Sequence, residues 1–163
     1  MSIRRQEGEN DVLYVTTTDP GSTSARKDPS NYTRVGLLAD LSDDISNETQ
    51  STLDRASTQH ESVIYGQQSS SVDFTCNVQK EDSSGTTTEE PGQIIVRDAA
   101  VDQDVLHYLV LPEDDQGNKI SGLEGEYGAV VVESISYTRN AGEFKQFEAS
   151  GAGRKQPSFF TTT

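Results

Sequence analysis

The sequence is short of the residues from which disulfide, metal and catalytic sites are usually built. A single cysteine, Cys76, excludes an internal disulfide and a cysteine-based zinc site. A lone thiol of this kind is expected as a small buried side chain rather than a nucleophile. The two histidines are His60 and His107. His107 falls in an apolar stretch near Asp102 and Asp104, where a structural imidazole is the simpler expectation. The pattern Gly-x-Ser-x-Gly is absent, so no serine is set on a nucleophile turn. No constellation with a catalytic mechanism emerges: the chain is not expected to be an enzyme, and no catalytic, cofactor-binding or metal-binding residue is assigned. The acidic turn Glu113-Asp114-Asp115-Gln116-Gly117-Asn118 lacks the ligand spacing and closing glutamate of a calcium loop and reads as a solvated hairpin loop. Gly151-Ala152-Gly153-Arg154-Lys155 has the glycines of a phosphate loop without its Gly-Lys-Ser/Thr pair, and no helix signal follows it.

Apolar residues are scarce as well. They make up 31% of the chain, so a modest core with long polar loops is expected. No apolar run approaches the length that spans a bilayer, and no membrane partner is expected. Met1 to Gln6 carries charge with no apolar stretch behind it, so export by a secretory signal is not expected. Cations are the third shortage. Lys and Arg number 13 against 27 Asp and Glu, a net charge of −14. A basic grip on nucleic acid is thereby disfavoured, because neutralising phosphates needs clustered Lys and Arg. The carboxylates are spread along the whole chain. That spread suits a solvated folded surface better than a disordered acidic tail, and it suggests a salt-loving source, where charge repulsion is screened within a few ångströms.

What the chain does contain is β-forming patterns. The strongest is Ser69 to Lys80, where Val72, Phe74, Cys76 and Val78 alternate with polar residues and should face a core. Asp11 to Thr18 and Asp104 to Leu111 read as strands, the second followed by a hairpin loop over Pro112 to Asn118. Tyr32 to Leu41 also reads as a strand, because Gly36 breaks helical continuity. Thr88-Glu89-Glu90-Pro91 marks a helix start, with Thr88 as cap and a short helix over Gln93 to Val101. Tyr127 to Gly153 reads as two strands joined by a tight turn at Asn140-Ala141-Gly142. Glu133 interrupts the apolar face of the first of these strands, which leaves two alternatives: cover on both faces, or a bulge that switches them. The return strand carries Phe144 and Phe147 and ends at Gly151 and Gly153.

The valine-rich strand ending in Ser134-Ile135-Ser136, the glycine-containing turn and the terminal Gly151-Ala152-Gly153 resemble the C-terminal hairpin of major tail tube proteins of long-tailed viruses. Segments 38–50, 66–78, 93–111 and 130–153 match that family in kind and order. The fold expected is mainly β, a small antiparallel β-sandwich or barrel with one short helix and a long polar arm. Residues 1–10 are expected as an N-terminal arm, 11–153 as a single β domain with an extended loop over 42–68, and 154–163 as a C-terminal tail. The resemblance implies a virion structural protein located in the tail and assembled in the host cytoplasm. Its subunits would form stacked, hexameric rings that conduct the genome without binding it specifically. Its partners would be copies of itself and other tail proteins. A surface-binding, adhesin-type module and a tube subunit of a contractile secretion system are the alternatives. The loop over 42–68 is expected to make contacts between stacked rings, and Phe159 and Phe160 to be buried against another subunit or the chain's own core edge.

Overall fold

The computed structural model describes residues 11–36, 38–53, 61–78, 90–114, 116–138, 141, 145–154 and 156–163. The arm expected over 1–10, Thr88 and the Asn140 and Gly142 of the expected turn lie outside these residues, as does Phe144. In chain order the elements are β1 (Asp11–Thr16), α1 (Thr23–Arg26), a 3-10 turn (Pro29–Asn31), β2 (Thr33–Arg34), β3 (Leu38–Leu53) and β4 (Glu61–Asn77). There follow α2 (Pro91–Asp102), β5 (Val105–Pro112), β6 (Glu124–Thr138), β7 (Gln146–Gly153) and β8 (Ser158–Thr161). All strands join one antiparallel sheet in the order β2-β1-β5-β6-β7-β4-β3, with β8 on β6.

The sheet curls onto itself. Leu13 and Val15 of β1 share one core with Val72, Phe74 and Cys76 of β4, although β5, β6 and β7 separate these strands in the sheet. The alternation over 72–78 therefore points inward as expected, and Phe147 and Ala149 of β7 join it. The Phe74 and Phe147 rings lie 6.2 Å apart, an edge-tilted contact of the kind aromatic pairs favour. Burying each such side chain contributes roughly 1.5–3 kcal/mol. Cys76 is fully buried, and desolvation pushes its thiol up to about 12, which makes it inert as a nucleophile.

α2, the longest helix among the described residues, closes the core. Val96 and Ala99 of α2 are buried in it, and Ile95 packs at its margin. The N-cap is Glu90, which makes no side-chain capping bond. Other groups fix the helix entry: the Gln93 side-chain amide donates to the carbonyls of Gly36 (3.0 Å) and Asn77 (3.1 Å). Gly92 packs so closely that an added Cβ would sit 2.4 Å from the Arg34 carbonyl oxygen. This docking explains a departure from expectation. The segment Tyr32 to Leu41 is not one strand: β2 stops at Arg34, Val35 is buried beside the helix, and β3 starts at Leu38.

In β6 the register shifts between Val132 and Ser134, so Glu133 is a bulge. Val130 and Val132 face the core before it, and Ile135 faces the core after it, one parity later. Of the two alternatives left by the sequence, the bulge is the one the chain adopts.

The largest departure concerns 42–68. An extended loop was expected there; the described residues form β3 and β4, paired from Leu38↔Cys76 to Leu53↔Glu61. The residues on its described part, Ser46 to Thr49 and Gln67 to Ser69, are solvent-exposed, so no alternation of apolar and polar residues marks them as strand. Residues 154–163 also differ from a tail. Ser158 to Tyr127 through Thr161 to Glu124 pair as a ladder, and the buried Thr162 accepts from the Leu123 N–H and donates to the Ile120 carbonyl at 2.6 Å.

Candidate assembly surfaces

Three surfaces stand out, and each follows from where the sheet ends. The first is a ribbon. β7 stops pairing with β4 at Ser71, whereas the β3–β4 ladder runs on to Leu53↔Glu61. From Ile45 to Leu53 the two strands thus have no third strand beside them among the described residues, a projection of roughly 26 Å at about 3.3 Å per residue. Asn47 and Gln68 face each other across it, the Gln68 amide donating to the Asn47 carbonyl oxygen at 2.9 Å. The register slips between Asn47 and Thr49, which adds local twist. A lone two-stranded ribbon is marginally stable in water, so it gains from a surface to lie on.

The second surface is the sheet edge. Among the described residues β3 is paired on one side only, along its whole length, and β2 at the other end of the sheet contributes two residues. Unpaired N–H and C=O groups on such an edge are a template for another chain.

The third is a polar face. Register aligns Ser42, Asp73, Ser150 and Ser134 across four strands, and Asp40, Thr75, Glu148 and Ser136 in the next row. These eight positions alternate with the core-facing ones, so they occupy the face opposite Phe74 and Phe147. They line a shallow groove of about 300 Å³ in which carboxylates and hydroxyls predominate and no lysine or arginine takes part. The surface is hydrated and negative, and phosphate would be repelled from it.

Buried carboxylates lie elsewhere. Glu113 was expected in a solvated loop, but it is buried; the Tyr14 hydroxyl donates to its Oε1, and Arg34 Nη1 lies 3.5 Å from its Oε2. Burial first, then the Glu113 contact, pushes the Tyr14 phenol up to about 12. Asp114 does behave as a turn residue, accepting the N–H groups of Gln116 (3.0 Å) and Asn118 (2.9 Å), and those bonds lower its pKa. Glu126 is buried at the far end of the core, accepts the Tyr108 hydroxyl at 2.8 Å, and faces Asp43. Desolvation, reinforced by Asp43, pushes the Glu126 carboxyl up to about 8. Sequence reasoning assigned none of these carboxylates a role; nothing in a lone Glu within a strand pattern signals its burial. His107 sits on the outer face of β5 in a cavity shared with Asp19, Arg26 and Arg154, not with the Asp102 and Asp104 that are near it in sequence.

The sequence matches no family model and no curated protein. The fold, in contrast, is similar to that of chains in assembled particles. Against a chain of the tail of an empty gene transfer agent particle with C6 symmetry, the TM-score is 0.64 at 17% identity over 96% of this chain and 99% of that one. A chain of the SPP1 tail tube gives a TM-score of 0.60 at 12% identity, covering 96% of this chain and 78% of that one. A chain of the anti-feeding prophage baseplate, sixfold symmetrised, gives 0.63 at 8% identity over 98% and 97%. At these identities the likeness establishes a shared fold: an antiparallel, sandwich-like sheet with few helices.

Proposed function

We propose that this chain is a virion structural protein, the major tail tube subunit of a long-tailed virus, assembling into stacked hexameric rings that conduct the genome. The observation that carries the reading is the β3–β4 ribbon, which leaves the sheet and runs on without a third strand. With no third strand beside it among the described residues, it suits contact with a subunit of the adjoining ring. The β3 edge supplies the second requirement, since edge-to-edge pairing inside a ring would hide it. Head-to-tail stacking of such rings repeats without limit.

The polar face of β3, β4, β7 and β6 is the natural lumen. A channel lined by Asp40, Asp73, Glu148 and a bed of hydroxyls lets DNA pass without adhering. Partners on this reading are copies of the chain and other tail proteins, in a tail assembled in the host cytoplasm. The even acidity of the surface favours a halophilic host. A tube subunit of a contractile system is the second reading, favoured by the likeness to the anti-feeding prophage baseplate chain.

Negative-stain microscopy of the purified chain tests the proposal. Rings about as wide as a viral tail, or tubes, are expected; a population of isolated globules at every protein and salt concentration would refute it.

A further inference from the structure

Cations are rare in this chain, yet two arginines and a histidine open into one cavity of about 370 Å³. It lies on the outer face of the sheet, between β5, β6, the start of β8 and the segment that carries α1. Val105 and Ala129 give it an apolar floor, and Tyr32 and Tyr127 contribute aromatic walls. Asp19 pairs with Arg26 at 3.3 Å and also accepts the Gly21 N–H at 2.9 Å, so its charge is spent at the rim. Arg154 is different. Its backbone N–H is held by the Ala129 carbonyl at 2.9 Å, which fixes where the side chain starts, but its guanidinium has no carboxylate partner among the described residues. One positive charge is thus left uncompensated in a concave, half-apolar site of a protein that carries −14 overall.

We propose that this cavity is a receptor for a carboxylate side chain of a second copy of the chain. The inference rests on the self-assembly read above. Copies with two carboxylates for each cation repel one another, and assembly needs places where an anion meets a cation out of bulk water. A planar guanidinium offers a carboxylate two parallel N–H donors, and the apolar floor strengthens that bond by excluding water. The Ser158 hydroxyl and Gln156 amide at the rim add donors. His107 reports on occupancy. In the lone chain, burial lowers its pKa, Asp19 raises it, and Arg26 and Arg154 lower it. A carboxylate seated between the two arginines would raise it.

The test uses the full chain. Light scattering gives the subunit concentration at which assembly begins for the wild type, Arg154→Ala and Arg154→Lys. Arg154 is exposed, so both variants should keep the wild-type melting temperature. Arg154→Ala should raise the onset concentration by roughly tenfold or more, and Arg154→Lys should recover part of the loss. In a His60→Gln background, NMR titration of His107 should show a higher pKa in the assembled state than in the dispersed one. Assembly of Arg154→Ala at the wild-type concentration, with His107 titrating alike in both states, overturns the inference and leaves the tail tube reading standing. A wild-type chain that never assembles overturns both. Acetate separates the sources of the carboxylate: it should compete with assembly. If acetate binds the dispersed chain and leaves assembly untouched, the site serves a free small carboxylate and the inference is wrong.

Discussion

Two residues show how single side chains control this fold. Glu126 has its carboxyl pushed up to about 8, so the folded chain holds a proton that the unfolded chain releases near the ordinary carboxylate value. Between those two values the folded state binds more protons, and stability falls as pH rises. The stabilisation is fully present below about pH 4.5 and is lost by the time pH passes about 8, a difference on the order of a few kcal/mol. His107 acts in the opposite sense at lower pH, because its depressed pKa costs stability as pH falls through it. The clean comparison is therefore Glu126→Gln against wild type: urea titrations at pH 5 and 9 should show the wild-type chain losing stability and the variant losing little. Equal slopes in both proteins would mean that Glu126 is ionised in the folded state. Gly92 is the second case. A methyl at this position would meet Arg34 O at 2.4 Å and Val35 Cα at 2.7 Å, both backbone atoms that cannot swing aside. Gly92→Ala should lower stability by about 1–3 kcal/mol, the usual range for overpacking, despite alanine's better helix propensity. A variant as stable as wild type in denaturant would show that α2 can lift off without cost.

Elements divide into those that hold the subunit and those that leave it. β8 belongs to the first kind. Its Phe160 ring lies 6.0 Å from Tyr127, faces Gly125 and receives the Lys27 ammonium at 5.2 Å, while Phe159 stays 47% exposed. The two phenylalanines therefore differ: Phe160 packs on its own sheet, and Phe159 is available to a neighbour. Deleting residues 154–163 should lower the melting temperature of the dispersed chain itself, by several degrees or more for a loss of about 1–2 kcal/mol. An unchanged melting curve would mean that the ladder to β6 contributes nothing. The ribbon belongs to the second kind. Ser46 and Ser69 are register partners, so residues 47–68 can be replaced by Asn-Gly, a two-residue turn suited to a hairpin. The shortened chain should fold with a near-native circular dichroism spectrum and melting temperature, yet fail to stack into tubes under the microscope. Tubes of normal length would remove the ribbon from the assembly.

At the scale of the whole molecule, charge dominates. A subunit of −14 would make the proposed ring of six carry about −84, before any counterion binds. Screening over about 3 Å at molar salt relieves that repulsion far better than the roughly 10 Å of dilute buffer. Assembly should accordingly begin at lower protein concentration as salt rises, which light scattering across a sodium or potassium chloride series would follow. Rings that persist unchanged at low ionic strength would contradict both the electrostatic account and the halophilic host inferred from it. The inner core, built from Leu13, Val72, Phe74, Leu106, Val130 and Phe147, is uncharged, so salt should affect association more than the melting of the lone subunit.

The sequence by itself determined the mainly β character, the inward face of Val72, Phe74 and Cys76, the place of α2 and the bulge option at Glu133. The strand features are written in side-chain periodicity, which records contact with a core, and α2 is marked by Pro91 in its first turn. Tertiary structure alone decided the rest. Ser46 to Thr49 and Gln67 to Ser69 of the ribbon are solvent-exposed, so their backbone ladder leaves no mark in the pattern of side chains, and polar residues there read as a loop. β8 is a short strand whose pairing with β6 depends on a partner more than thirty residues away, between Ser158 and Tyr127. Glu113 and Glu126 are buried because β1, β3 and β5 close over them, not because of their neighbours in sequence. The cavity with Arg26, His107 and Arg154 gathers residues from three distant stretches. Local pattern records which way a side chain faces; only the curl of the sheet decides which side chains meet.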